Sequence, residues 1–302
     1  MAYDLLNNEY GIEGIVAVVE GPGGLAMVRV TNDLAEADIL MQGAHLVHWQ
    51  PEGQQEVIWV SEDASFTEGK SIRGGIPVCW PWFGPHDSQA DYPAHGFARM
   101  VPWNLVKTAQ LEDGSTCLEF AISTTHKYAD IWLLNLELLY RITVGSQLKL
   151  ELITRNHEQN SVSVSEALHT YFAVDDVRAV EINGLEDKRY LDKVDKFVEK
   201  IQQGPVKIAE EVDRVYQDTE EQCSILDPLL ARRIRIDTES SHSTIVWNPW
   251  IEKAEAMGDL GSDGYLKMLC VESGNALENQ VEIEKGGEHV LSVTYSLENL
   301  PG

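Results

Sequence analysis

The sequence predicts an all-β protein, folded as one large antiparallel β-sandwich over residues 1–302. Three observations carry this. Short runs that alternate apolar with polar residues recur from end to end, the period of a strand with one covered face. Turns bearing Gly and Pro separate them. Strands never alternate regularly with long helical segments, as a parallel α/β sheet would require.

Taken in order, GIVAVVEGPGGLAMVRV (14–30) reads as two strands around a Pro-Gly-Gly turn. ADILMQGAHLVHWQ and EVIWVS follow, split by Pro51, Glu52 and Gly53. TCLEFAIST, WLLNLELLYRITV, LKLELITRN and VSVSEALHTYFAV form a dense central series, with RRIRIDT and STIVWNPW later. QVEIEKGGEHVLSVTYSL reads as a last hairpin, closed by Lys285-Gly286-Gly287. The main helical signal is YLDKVDKFVEKIQQ (190–203), which reads either as a short amphipathic helix or as a polar excursion between strands. No internal repeat, low-complexity tract or linker interrupts the chain. Function is therefore expected on long loops and at strand ends that face a concave sheet.

The chain carries 49 acidic and 23 basic residues, a net charge of -26. Nucleic acid and anionic membrane surfaces, which need basic patches, are poor partners for it. A local arginine cluster can still hold a small anion, because salt screens exposed charge over roughly 8 Å. The four cysteines, Cys79, Cys117, Cys223 and Cys270, form no C-x-x-C pair. They read as reduced core thiols, without a zinc or redox motif. The first residues, MAYDLLNNEYGIEGI, place acids where a signal peptide would be basic and then apolar. No apolar run approaches the ~20 residues needed to span a bilayer. The expectation is a soluble, cytoplasmic protein.

Among the histidines, His169 lies in SEALHTYFAVDD, inside a strand-like run rich in apolar and aromatic residues. Such a His is either an inert core residue or one held rigidly for proton transfer. His95, in YPAHGFARM, adjoins Gly96 and lies near Arg99, so backbone and guanidinium can both approach a ligand. His45 and His48 are at odd spacing on a strand, which points them to opposite faces. His126, His157, His242 and His289 have no chemical company nearby in sequence. Glu272, in YLKMLCVESGNALENQ, is read as a strand-end acid leading into a turn, either solvated or reaching into a cleft. SIRGGIPVCWPWFGPH sets the lone cation Arg73 in a stiff frame of glycines, prolines and aromatics. Trp80, Trp82, Trp103, Trp247 and Trp250 lie in segments rich in Pro, Gly or Asn; they read as packing plugs or as platforms for sugar faces, and composition favours packing.

The series RGGIPVCWPWFGPH, AHGFARMVPWNL, EALHTYFAVDD, GLEDKRYLDK, EEVDRVYQD, VWNPWIEKAEAMGDLG and CVESGNA resembles the hexose-6-phosphate mutarotases, or glucose-6-phosphate 1-epimerases. These are a branch of the aldose 1-epimerase superfamily with the galactose-mutarotase-type supersandwich. The motifs cover roughly residues 40 to 275, in family order. The resemblance implies that His169 is the general acid for the ring oxygen and Glu272 the general base for the anomeric hydroxyl. It implies that Arg73 and Arg99 contact substrate, with phosphate the target, and that Asp213 and His95 contact the sugar. Ala94 stands where relatives often have Gln, and Asp91 is a candidate replacement contact. Arg178, Arg189 and Lys193 are further cations that the phosphate could meet. Acid and base are expected on opposite sides of the reacting C1–O5 unit. At reference pKa values, Glu272 would be anionic and part of His169 protonated near neutrality.

The implied reaction interconverts the α and β anomers of a hexose 6-phosphate through the open chain. It needs no metal and no nucleotide cofactor, and no P-loop or dinucleotide fingerprint is found. The implied partner is a small sugar phosphate, with no nucleic acid or membrane partner and a monomer as the default. Two other readings fit the same features: an aldose 1-epimerase acting on unphosphorylated sugars, and a non-catalytic carbohydrate-binding protein.

Overall fold

A computed structural model describes residues 3–123, 128, 134–219 and 222–300. Among these residues the chain forms three large antiparallel sheets, and the all-β reading holds. The first sheet is a four-stranded meander running from Val16–Glu20 through Ala26–Thr31 and Ala35–Leu40 to His45–Pro51. The Pro-Gly-Gly segment turns the first hairpin as expected, with Val18 opposite Val28. A nine-stranded sheet carries the long central strands; in it Leu136–Val144 pairs with both Leu148–Asn156 and Thr116–Ile122. The run that starts at residue 132 begins outside the described residues, and so does His126.

The third sheet has eight strands, numbered here along the chain: β1 Val78–Cys79, β2 Glu166–Leu168, β3 Tyr171–Ala173, β4 Arg189–Asp192, β5 Val198–Ile201, β6 Val212–Gln217, β7 Ser243–Asn248 and β8 Met268–Asn275. Their order is β5-β4-β6-β7-β8-β2-β1, and β3 pairs with β8 beside β2. Strand alternation divides this sheet into two faces. Tyr216, Val246, Leu269, Val271 and Phe172 enter the main core, which they share with the other two large sheets. Asp213, Ile245, Trp247, Glu272 and Tyr171 turn the other way, into a cavity.

Two local readings are corrected. Residues 190–203 form neither a helix nor a loose excursion but the β4–β5 hairpin, with Tyr190 opposite Lys200. The Asp192 carboxylate accepts the Val194 and Asp195 amides, and Lys196 and Phe197 take left-handed φ values of 53° and 62°. That is a side-chain-capped turn, which interrupts the apparent helical period. The closing KGG segment also does not join a hairpin. The amide and carbonyl of Asn156 bond Gly287 O and Gly286 N, and its side-chain amide reaches Ile283 O and Glu284 O. The flanking strands then diverge: Val281–Ile283 pairs with Val162–Val164, while Glu288–Asn299 inserts between Arg232–Glu239 and Leu148–Asn156.

Three α-helices occur among the described residues: α1 Asp4–Tyr10, α2 Trp250–Met257 and α3 Gly264–Lys267. Helix α2 was not evident from sequence. Asn248 Oδ1 accepts the Trp250 amide at its start, and left-handed Gly258 (φ 73°) ends it. None of the helices is long and apolar enough to cross a membrane.

Candidate active site

The cavity on the open face of the eight-stranded sheet has a volume of about 230 Å³. The register of the sheet explains what meets there. Asp213 pairs with Trp247, Trp247 with Cys270, and Cys270 with Tyr171, which makes one row across four strands. The next row runs from Val215 through Ile245 to Glu272. Leu168 pairs with Ser273 and Tyr171 with Cys270, so His169, between β2 and β3, stands level with Glu272. The backbone of this short link bonds elsewhere: the His169 amide donates to Pro77 O and the Thr170 amide to Leu168 O. The expected single strand through HTYF is therefore two strands with His169 at the break. Glu272, expected at a strand end, lies within β8, because Ser273, Gly274 and Asn275 continue the ladder.

His169 Nε2 lies 3.3 Å from Glu272 Oε1. The two groups are thus close neighbours on one face, not on opposite walls as the sequence reading expected. Both are buried, and His169 Nδ1 and Glu272 Oε2 have no hydrogen-bond partner. Burial pushes Glu272 well above the usual carboxylate range. Burial, followed by the charges of His95 and Arg99, pushes His169 well below the usual imidazole range. Reference pKa values therefore do not describe this pair. What holds in either direction is the proton count: neutral His with protonated Glu, and imidazolium with carboxylate, both carry one transferable proton.

Around the pair, Tyr171 stacks on His169 with centroids 4.9 Å apart and planes 16° apart, and Trp247 meets His169 edge-on at 6.0 Å. His95 stands 5.9 Å from His169, braced edge-on by Phe83 at 4.7 Å. Burial and Arg99 push His95 down to about 3, so it is neutral. Its backbone takes φ 64°, and Gly96 beyond it takes 71°. A Cβ on Gly96 would sit 1.9 Å from Trp80 O, so this approach demands glycine.

Arg73, Arg99, Lys193 and Lys253 all line the same cavity. Arg73 donates to Asp259 Oδ1 and to Tyr171 Oη, each at 3.1 Å. Arg99 donates through Nη2 to Ala94 O at 2.8 Å, and its Nε has no partner. Lys193 lies 3.0 Å from Asp213, whose carboxyl burial pushes up. Of the further cations considered, Lys193 reaches the cavity. Arg178 pairs with Asp176, and Arg189 with Glu199, Asp218 and Glu278. Asp91 does not line the cavity. Lys253 was missed because the helix that carries it was missed.

The RGG segment owes its shape to a buried histidine. His45 Nε2 donates to Gly74 O at 2.8 Å, and burial pushes its pKa down to about 4. His45 is thus structural, while His48 on the other face pairs with Glu56 at 2.8 Å. Trp80 and Trp82 brace the loop: their indole N–H groups donate to Thr154 Oγ1 and Pro93 O. Trp247 is the tryptophan that lines the cavity. His289, for which no neighbour was expected, lies 2.8 Å from buried Glu166.

All four cysteines are free and buried. The ligand atoms of Cys270, His169 and Glu272 lie within 4.8 Å of one another, a set able to hold a metal. Burial pushes the Cys270 thiol well up, which disfavours the thiolate that a metal needs. A larger depression of about 680 Å³ lies beside α1 and is lined by Tyr3, Leu6, Met100 and Asn104 among others. None of the candidate residues reaches it, so the smaller cavity is the site by its chemistry.

Comparison with known proteins bears on the fold and the family. The aldose 1-epimerase family matches residues 26–296. A protein of Escherichia coli (strain K12) named "Putative glucose-6-phosphate 1-epimerase" is 35% identical over 268 residues, 88% of each chain. A protein of the same name from Cenchrus ciliaris is 32% identical over 282 residues, 90% of this chain and 84% of that one. A solved structure from Salmonella typhimurium, described as a "putative mutarotase", superposes with a TM-score of 0.85 at 31% identity, covering 94% of this chain and 97% of that one. By this match over most of its length, the chain belongs to the aldose 1-epimerase family of isomerases.

Proposed function

We propose that the protein interconverts the α and β anomers of a hexose 6-phosphate, glucose 6-phosphate first among them. The observation that carries this reading is the His169–Glu272 pair at 3.3 Å in one cavity with Arg73, Arg99, Lys193 and Lys253. The relatives' names support the choice of sugar.

The chemistry follows from the pair. The two oxygens that change protonation, O1 and O5, are bonded to the same carbon, so an acid and a base side by side can serve both. Glu272 accepts the O1 proton as the C1–O1 bond becomes a carbonyl. The C1–O5 bond breaks with its electron pair going to O5, and His169 protonates O5. Rotation about C1–C2 and reversal of these steps deliver the other anomer. The pair begins and ends with one proton, so no external acid or base is consumed. Asp213 and His95 hold sugar hydroxyls. Arg73 and Arg99 take the phosphate; each charge-assisted hydrogen bond contributes about 1.5–3 kcal/mol, enough to bring a dianion into an acidic protein.

The test is anomer exchange measured with glucose 6-phosphate and glucose side by side. Faster exchange of the phosphorylated sugar supports the reading. Equal rates would favour an epimerase of free sugars, and sugar binding without any exchange would favour a carbohydrate-binding protein.

A further inference from the structure

The phosphate of a hexose 6-phosphate is tethered through C6 to C5, the carbon that carries ring oxygen O5. The group that protonates O5 must therefore stand at a set distance from the group that holds the phosphate. In the reading above, on which this inference rests, those groups are His169 and Arg73. One side chain joins them. Tyr171 Oη accepts a hydrogen bond from Arg73 Nη1 at 3.1 Å, and the Tyr171 ring stacks on the His169 imidazole at 4.9 Å.

Tyr171 is itself rigidly held. Trp59 stacks on it at 6.0 Å with planes 22° apart. The Tyr171 amide donates to Gly75 O at 3.0 Å, two residues from Arg73, and its carbonyl accepts the Trp59 amide at 2.9 Å. The side chain is buried, and burial pushes its hydroxyl above the usual tyrosine range, so it stays protonated at neutral pH. That leaves it unsuited to exchange the substrate's protons. Asp259 accepts from Nε of the same guanidinium, so Nε and Nη1 of Arg73 both have fixed partners.

We propose that Tyr171 is a positioning residue, which sets the spacing between the phosphate-holding guanidinium of Arg73 and the imidazole of His169 and so favours sugars phosphorylated at C6.

The test is a double-mutant cycle on the full chain, with anomer exchange of glucose 6-phosphate and glucose measured for wild type, Tyr171→Phe, Arg73→Ala and the double variant. Tyr171→Phe keeps the ring and loses the hydroxyl. Losing one hydrogen bond predicts about a 3- to 10-fold higher KM for glucose 6-phosphate, with smaller effects on kcat and on glucose turnover than on that KM. In the Arg73→Ala background the same change is expected to have no further effect. Tyr171→Leu, which also removes the stack, is expected to lower kcat on both sugars. If Tyr171→Leu does not fold, the cycle with Tyr171→Phe still decides. A Tyr171→Phe variant identical to a wild type that prefers the phosphorylated sugar overturns the proposal, as does an effect equally large without Arg73. A wild type that treats both sugars alike would instead fail the substrate reading itself, and is told apart by that arm.

Discussion

His169, in the link between β2 and β3, stands level with Glu272 on the adjacent strand β8, with Nε2 and Oε1 3.3 Å apart in a buried site. Removing either is expected to abolish the exchange of a proton at one of two oxygens on the same carbon. His169→Ala and Glu272→Ala are each expected to lower kcat by about 10²–10⁴-fold. Because the residues act as a unit, the double variant is expected to be little worse than the poorer single one. Polarimetry or exchange NMR measures the rate, and circular dichroism checks the fold. Near-wild-type turnover in either single variant would refute its role.

In the proposed reading the two arginines hold the phosphate, the part of the substrate that does not react, so their loss is expected in KM. Arg73→Ala and Arg99→Ala are each expected to raise KM for glucose 6-phosphate about 10- to 100-fold, the equivalent of one charge-assisted hydrogen bond. Turnover of free glucose is expected to change little. An unchanged preference between the two sugars would count against a phosphate role.

The pH profile reports the shared proton. In the proposed mechanism, activity needs one proton on the pair. The second proton would enter on His169, which burial lowers, so the acid limb is expected well below the ordinary histidine value of ~6.5. The last proton would leave Glu272, which burial raises, so the alkaline limb is expected well above the ordinary glutamate value of ~4.3. A plot of kcat/KM against pH is expected to show its two limbs further apart than the ordinary values of the two groups would place them. An inflection near ~6.5 that disappears in His169→Ala would contradict it.

His45 is buried, and its pKa is depressed to about 4. A depressed folded-state value means that this contribution to stability is complete above the unfolded value of ~6.5 and is lost as pH falls through about 4. The loss is of the order of 3 kcal/mol, at 1.36 kcal/mol per unit. His45→Gln is expected to be less stable than wild type at pH ~7.5, with the gap narrowing by pH ~4. Urea unfolding at both values measures this; a gap independent of pH would refute the burial argument.

Gly75 takes φ 71°, and a Cβ there would lie 2.3 Å from His45 Nε2 and 2.6 Å from Leu46 O. Gly75→Ala is expected to cost at least about 1–3 kcal/mol and to lower the melting temperature. A variant as stable as wild type would show that the RGG segment is not held as described.

What was legible in the sequence is what is local. Alternation over a few residues marks a strand, and GPGG between two such runs marks a turn, so the all-β class and the first hairpin could be read directly. His169, Glu272, Arg73, Arg99, His95 and Asp213 were named through motifs, and the tertiary structure gathers all six around one cavity. Local pattern also misled where a distant group intervened. Asn156 takes the hydrogen bonds of the KGG turn, and Asp192 caps a turn inside what reads as a helix. No window of sequence contains both partners of the first contact, and in the second the period of the side chains conceals the cap.

Alternation, turns and motifs define the class of fold and the kinds of group available for chemistry. Register decided which of them touch, since pairing Tyr171 with Cys270 and Leu168 with Ser273 is what sets His169 against Glu272. The tertiary structure also shifts their pKa values, because burial lowers that of His169 and raises that of Glu272. It joined Arg73 to His169 through Tyr171. The physical reason is common to all three: pairing between strands distant in sequence fixes spacing and exclusion of water together, and neither quantity belongs to a residue alone.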